Sequence, residues 1–384
     1  MFNFDKSRLF FIAMCFLIIS PVSQSFEVLK LYTGGIEKHD AVLTPVYFKI
    51  IKDVALLTFT IYFFRKVLIK GTSFFKITTI AITMIFIFVS IIFSIYNDES
   101  IMLTILGLHW FIPIFLLYFS WNNIDDNEWK FLNKALVILF LAHFSLQVTQ
   151  LFFSTGYYGA LMGMSTRNPG IYIIPNTASI FSIVCCLIFL KEKMTRMMLL
   201  SILSTVLTGS GTGVVVLMVV FAHRLFYKYR SYLYLISPFL LVCSYFILAY
   251  LLKFRGGEEY IQISLGTRLG FIYNALFYWP TNFGEGTNIA LSFGLTDKLM
   301  DSTYASILVN TGYVGFLVYL FSLIVSLIIF EVNGNKDEAS IIIVVLLISF
   351  TNIIMSISII NIILPLALSY YLSDRRSIQS KVIS

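Results

Sequence analysis

The chain has 384 residues, of which 58% are hydrophobic and only 12% charged, with a net charge of +7; soluble globular chains carry roughly 25% charged residues. So apolar a composition needs lipid as its solvent, and at about 20 residues per bilayer-spanning helix it has room for roughly a dozen spans and one sizeable loop. A separate soluble domain is excluded, and the basic excess reads as the cytoplasmic flanks of spans rather than as a nucleic-acid surface.

In chain order, apolar runs long enough to cross begin near Leu9, Val54, Phe75, Met102, Ala135, Ile171, Tyr232 and Thr303, each bounded by charged or turn-forming residues. The first follows Lys6 and Arg8 and ends at Ser20-Pro21-Val22-Ser23. That pattern has some look of a cleaved signal peptide, but an uncleaved first helix is the reading adopted. Met197 to Phe226 is too long for one ordinary span and carries Thr208-Gly209-Ser210-Gly211-Thr212-Gly213 at its middle. Glycines disfavour helix interiors, so the segment reads as two short helices joined by a turn. Arms of about 12 to 15 residues would reach about 18 to 22 Å. Ala339 to Tyr371 is split in the same way near Asn352 to Ser358, giving an all-α chain of about twelve spans, a single transmembrane domain over residues 1–384 with one large loop at 253–301.

Lys and Arg set the orientation. With both termini inside, the inner segments are Lys6/Arg8, Arg65/Lys66/Lys70, Lys130/Lys134, Lys191/Lys193/Arg196, Arg224/Lys228/Arg230, Lys336 and Arg375/Arg376/Lys381. Asn97-Asp98-Glu99-Ser100, on the outside, has no cation, and the 253–301 loop offsets its own with Glu258, Glu259, Glu285 and Asp297. Basic clusters at both feet of the glycine-interrupted hairpin point its tip outward.

Three outer arginines, Arg167, Arg255 and Arg268, run against this bias. Arg167 precedes Asn168-Pro169-Gly170 at the mouth of a helix with Pro175-Asn176 in its first turns, beside free backbone N–H groups and the positive end of a helix dipole. Guanidinium groups hold phosphates by paired hydrogen bonds, so two such sites would grip a diphosphate without a metal. The bland alternative is interfacial snorkelling toward lipid headgroups. Asp301, Glu285, Glu258 and Glu259 are the acidic candidates for a base, and Asp301 equally suits an N-cap or dipole partner of the helix it precedes. His39 alone among the histidines is read as exposed outside, with His109, His143 and His223 in or beside spans on the inner side. Cys15, Cys185, Cys186 and Cys243 lie in apolar runs and read as buried thiols. No metal-ligand spacing, nucleotide loop or serine elbow occurs, so neither a metal nor a cofactor is expected.

These outer elements resemble the O-antigen polymerase and O-antigen ligase superfamily, membrane glycosyltransferases of the GT-C type. Arg167-Asn168-Pro169-Gly170 with Pro175-Asn176 is similar to the family's arginine, glycine and Pro-Asn pair at a helix start. Thr208 to Gly213 resembles its Gly-Ser-Arg-Thr turn, with Gly211 at the place of the arginine. Arg268, Trp279-Pro280 and Gly284-Glu285-Gly286 resemble its large outer loop. Asp301-Ser302, followed after nine residues by Gly312-Tyr313-Val314-Gly315, resembles the ligase pattern with Asp301 for its histidine, which favours the polymerase branch.

The resemblance implies an enzyme of the bacterial inner membrane, active at the periplasmic face, that joins undecaprenyl-diphosphate-linked repeat units. Implied substrate-binding residues are Arg167, Arg268, Arg255, Asn176 and Ser210. Implied catalytic residues are Arg268 with Asp301 or Glu285 toward the acceptor hydroxyl. Expected partners are lipid-linked glycans, membrane lipids, and the chain-length regulator and flippase of the same pathway. Two alternatives stay open: a ligase transferring finished polymer to lipid A core, and a polysaccharide or lipid transporter, which would carry facing ionisable residues near the bilayer midplane.

Overall fold

The computed structural model describes residues 3–21, 46–70, 112–152, 167–172, 174–228, 302–350 and 357–383, with a few more between 81 and 95 and between 266 and 277. Every long regular element among them is an α-helix: α1 (Asn3–Ile19), α2 (Val46–Lys70), α3 (Ile112–Ser120), α4 (Asp126–Phe152), α5 (Pro175–Lys191), α6 (Thr195–Leu207), α7 (Gly211–Lys228), α8 (Thr303–Val332), α9 (Lys336–Ser349) and α10 (Ile360–Ile383). The all-α expectation holds. One described helix, α4, is both long and apolar enough to cross a membrane by itself, while Pro175–Lys191 and Thr195–Leu207 are shorter apolar helices. The expected spans from Phe75 and Tyr232, and the first part of the one from Met102, lie largely outside the described residues, as does most of the 253–301 loop.

Both expected breaks occur. The hairpin turns at Thr208–Ser210 with Gly209 at φ +64°, a left-handed backbone that glycine adopts without steric cost. Its arms are 13 and 18 residues long, the second longer than expected because the helix continues through the basic foot to Lys228. In the C-terminal segment α9 ends at Ser349 and α10 starts at Ile360, with Ile359 just before it at φ +71°.

Helix α5 is the hub. It touches α4, α6, α7, α9 and α10, and its residues from Ala178 to Phe189 are buried without interruption, as expected of a helix apolar on all faces. Cys185 and Cys186 are among them as free thiols, and Cys15 is half-buried; Cys243 lies outside the described residues. Small residues set the close approaches: a Cβ added at Gly213 of α7 would sit 2.4 Å from the Ser179 Cβ of α5.

Ion pairs and hydrogen bonds join seven helices at one end of the bundle. Lys66 of α2 lies 2.7 Å from Asp125 and 2.8 Å from Glu128 at the start of α4. Glu128 in turn accepts from the Asp125 backbone N–H at 2.8 Å, the return half of a capping box. Glu192, after α5, accepts from Trp129 of α4 at 2.8 Å and from Tyr371 of α10 at 2.9 Å. Lys191 of α5 and Arg224 of α7 converge on Asp337 in the first turn of α9, and His223 pairs with Glu331 near the end of α8. These are segments that the charge pattern assigned to a common side.

Asp337 gives this end an acid limit. Burial pushes its carboxyl up, but Lys191 and Arg224 pull it further down, for a net position below its ordinary 3.8. A carboxylate with a lowered folded-state pKa contributes stability that is complete above the ordinary value and is lost as pH falls through the lowered one. Thermal unfolding in detergent should therefore steepen its decline below about pH 4. Asp337→Asn should be less stable at neutral pH and show a flatter acid limb. An unchanged acid limb in that variant would remove Asp337 from the account.

Candidate functional site

The opposite end of the bundle carries the motifs singled out in the sequence. Helices α5 and α7 each start there, about 25 Å from the ion pairs at a rise of 1.5 Å per residue. Pro175 opens α5, where its missing N–H costs nothing, and Ile174 at the N-cap supplies no side-chain hydrogen bond. Ser210 stands before Gly211 at the start of α7, and its hydroxyl accepts from the Gly213 N–H at 3.2 Å, a regular N-cap. The same hydroxyl donates to Asn176 Oδ1 at 2.7 Å. One serine therefore joins the two helix starts, and it fixes which way the Asn176 amide faces.

Arg167 lies against this junction. It is buried, with 8% of its surface exposed, and its Cγ is 3.0 Å from where a Gly209 Cβ would be. The apolar stem of the arginine thus runs over the glycine-rich tip, in space that any side chain at 209 would contest. The Asn168 N–H donates to the Leu207 carbonyl at 3.3 Å, tying the arginine's turn to the end of α6. Two helix N-termini, that of α7 capped by Ser210, meet beside one guanidinium-bearing turn. Such an arrangement favours an anion.

Helix α4 supports the turn from below. His143, Gln147 and Gln150 follow one another at four and three residues and so share one helix face; all three are fully buried. Gln147 donates to the Asn168 carbonyl at 3.0 Å and to the Ser204 carbonyl at 3.3 Å, and accepts from the Ser204 hydroxyl at 2.6 Å. Gln150 accepts from the Gly170 N–H at 2.8 Å and donates to the Gly170 carbonyl at 3.1 Å. His143 Nδ1 takes the Ile171 N–H at 3.3 Å, and Tyr172 donates to the Ser358 carbonyl at 3.1 Å.

Of the seven residues expected at the site, the structure brings together Arg167, Asn176 and Ser210. Arg255, Arg268, Glu285 and Asp301 lie outside the described residues, as do Glu258, Glu259 and His39. The residue that caps α8 is Ser302, whose hydroxyl accepts from the Ala305 N–H at 3.3 Å and donates to the Ser349 carbonyl at 3.2 Å. The helical residues 272–277 of the large loop pack onto the same helix, with Ala275 clustered against Ala305 and Leu308.

His143, which the sequence grouped with the inner segments, lies away from their ion pairs: helix α4 starts at Asp126, so His143 stands about 25 Å along it, beneath the Arg167 turn. Sequence reasoning also passed over Gln147 and Gln150, although polar residues at i, i+4 and i+7 in an apolar helix are a readable stripe. Comparison of the chain with protein-family models, with curated proteins and with solved structures gives no match in any of the three.

Proposed function

We propose that this protein is a polytopic membrane enzyme of about twelve spans that polymerises lipid-linked glycan repeat units at the outer, periplasmic face of a bacterial inner membrane. The observation that carries the reading is the packing of Arg167 on the hairpin tip, where Ser210 ties Asn176 to the start of α7, at the end of the bundle remote from the ion pairs. An anion-favouring site at that end suits a lipid diphosphate held at the outer leaflet. The membrane setting is supported by composition and by α8, whose Val318, Phe321, Ile328 and Val332 are exposed, as side chains facing lipid would be.

In this reading the donor is a growing glycan on undecaprenyl diphosphate and the acceptor is one repeat unit on a second carrier. An acceptor hydroxyl attacks the donor's anomeric carbon, the bond to the diphosphate breaks, and lipid diphosphate leaves with the bonding electron pair. Arg167, with Arg268 and Arg255 from the large loop, neutralises the charge gathering on the leaving group. Asn176 and Ser210 orient it. Asp301 or Glu285 takes the acceptor's proton. A chain-length regulator and a flippase are the proposed partners.

A deletion strain tests the reading through the length distribution of its surface polysaccharide. Loss of the polymerase should leave single repeat units on the surface, with long chains restored by the wild-type chain. Accumulation of long lipid-linked polymer that is never attached would identify a ligase instead. Absence of all surface glycan, with repeat units retained inside, would identify a transporter.

A further inference from the structure

The turn that carries Arg167 is held less by its own backbone than by side chains from a helix earlier in sequence. Asn168, on one side of the arginine's peptide unit, donates its N–H to Leu207 and gives its carbonyl to Gln147. Gly170, two residues further on, has both its N–H and its carbonyl bonded to the amide of Gln150. Gln147 has both amide hydrogens and its oxygen engaged, so its orientation is fixed. Buried amides in water-poor surroundings keep such geometry because every alternative leaves a polar group unsatisfied.

From these contacts we infer that Gln147 and Gln150 are positioning residues for Arg167. They set the backbone on which its stem lies along Gly209, and so aim its guanidinium at the diphosphate of the lipid carrier. The inference rests on the proposed function, since it presumes that Arg167 binds that diphosphate. It adds that the strength of the grip is decided on α4, by side chains that never touch the ligand. A misplacement of about 1 Å can cost an enzyme about a hundredfold in rate, so releasing the turn should matter even with the arginine intact.

The test is a double-mutant cycle on the full chain in lipid nanodiscs, with undecaprenyl diphosphate as the probe and equilibrium affinity as the readout. Arg167→Ala should weaken binding about ten- to a hundredfold, the range for a lost charge-assisted hydrogen bond. Gln150→Met, close in volume but unable to hold Gly170, should weaken it about tenfold. The double variant should bind no more weakly than Arg167→Ala, because a support has nothing left to aim once the arginine is gone. Independent effects would multiply instead, and multiplication would overturn the inference, as would wild-type affinity in Gln150→Met. If Arg167→Ala itself binds like wild type, the proposed anion site fails, which is a separate result. Should Gln150→Met not fold, Gln147→Met completes the same cycle. If neither variant yields folded protein, these glutamines serve the fold as a whole and the positioning role is rejected.

Discussion

Replacing Arg167 with Ala should lower the proposed polymerisation by about a hundred- to a thousandfold per folded molecule. The size follows from the proposed reaction, in which the leaving diphosphate would gain charge as the glycosidic bond breaks; removing one preorganised donor from such a site typically costs about 3 to 4 kcal/mol. Arg167 also has a packing role, because its stem covers Gly209. Losing that cover should cost some stability, so activity is compared per folded molecule. Arg167→Lys separates the two contributions: it keeps the apolar stem and a point charge but loses the planar fork, and should retain intermediate activity. The measurement is chain length and initial rate with purified lipid-linked repeat units. Arg268→Ala should behave like Arg167→Ala. Wild-type polymer from both alanine variants would end the assignment of a diphosphate site.

The hairpin was legible because glycine acts locally. A run with glycine at 209, 211 and 213 cannot continue a helix cheaply, and the turn falls there with Gly209 at φ +64°. The Arg167 and Pro175-Asn176 motif was legible for the same reason, being a helix start written in adjacent residues. What escaped was support from a distance. Gln147 and Gln150 bind backbone groups about twenty residues later, and a carbonyl or N–H in a turn has no side-chain signature to match. The ion pairs at the other end escaped for a different reason. Counting Lys and Arg gives orientation but ignores acids, so Asp125, Glu128, Glu192 and Asp337 received no role although each binds a residue from another helix. Charge bias reports which side an end is on. Pairing reports which ends are neighbours, and only the folded chain shows it.

Gly170→Ala should be strongly destabilising, and Gly334→Ala is its natural control. Both glycines sit in the left-handed region, at φ +63° and +67°, so each alanine incurs about 1 to 2 kcal/mol of backbone cost. Around Gly334, between α8 and α9, nothing among the described residues lies within 4 Å of an added Cβ, and the cost should end there. At Gly170 the same methyl would stand 2.5 Å from His143 Nδ1, 2.7 Å from Cε1 and 2.8 Å from the His143 carbonyl oxygen. A ring can swing aside, but the carbonyl belongs to α4 and cannot move without bending the helix. The turn must instead lift from α4, which strains the Ile171 contact with His143 and the paired bonds to Gln150. Overpacking of this kind adds about 1 to 3 kcal/mol. Thermal or denaturant unfolding in detergent should therefore show a loss for Gly170→Ala about twice that for Gly334→Ala. Surviving folded protein should also be weakened in the proposed polymerisation, because the displaced turn carries Arg167. Equal losses in the two variants would mean that the turn is not seated on His143, and the support assigned to α4 would go with it.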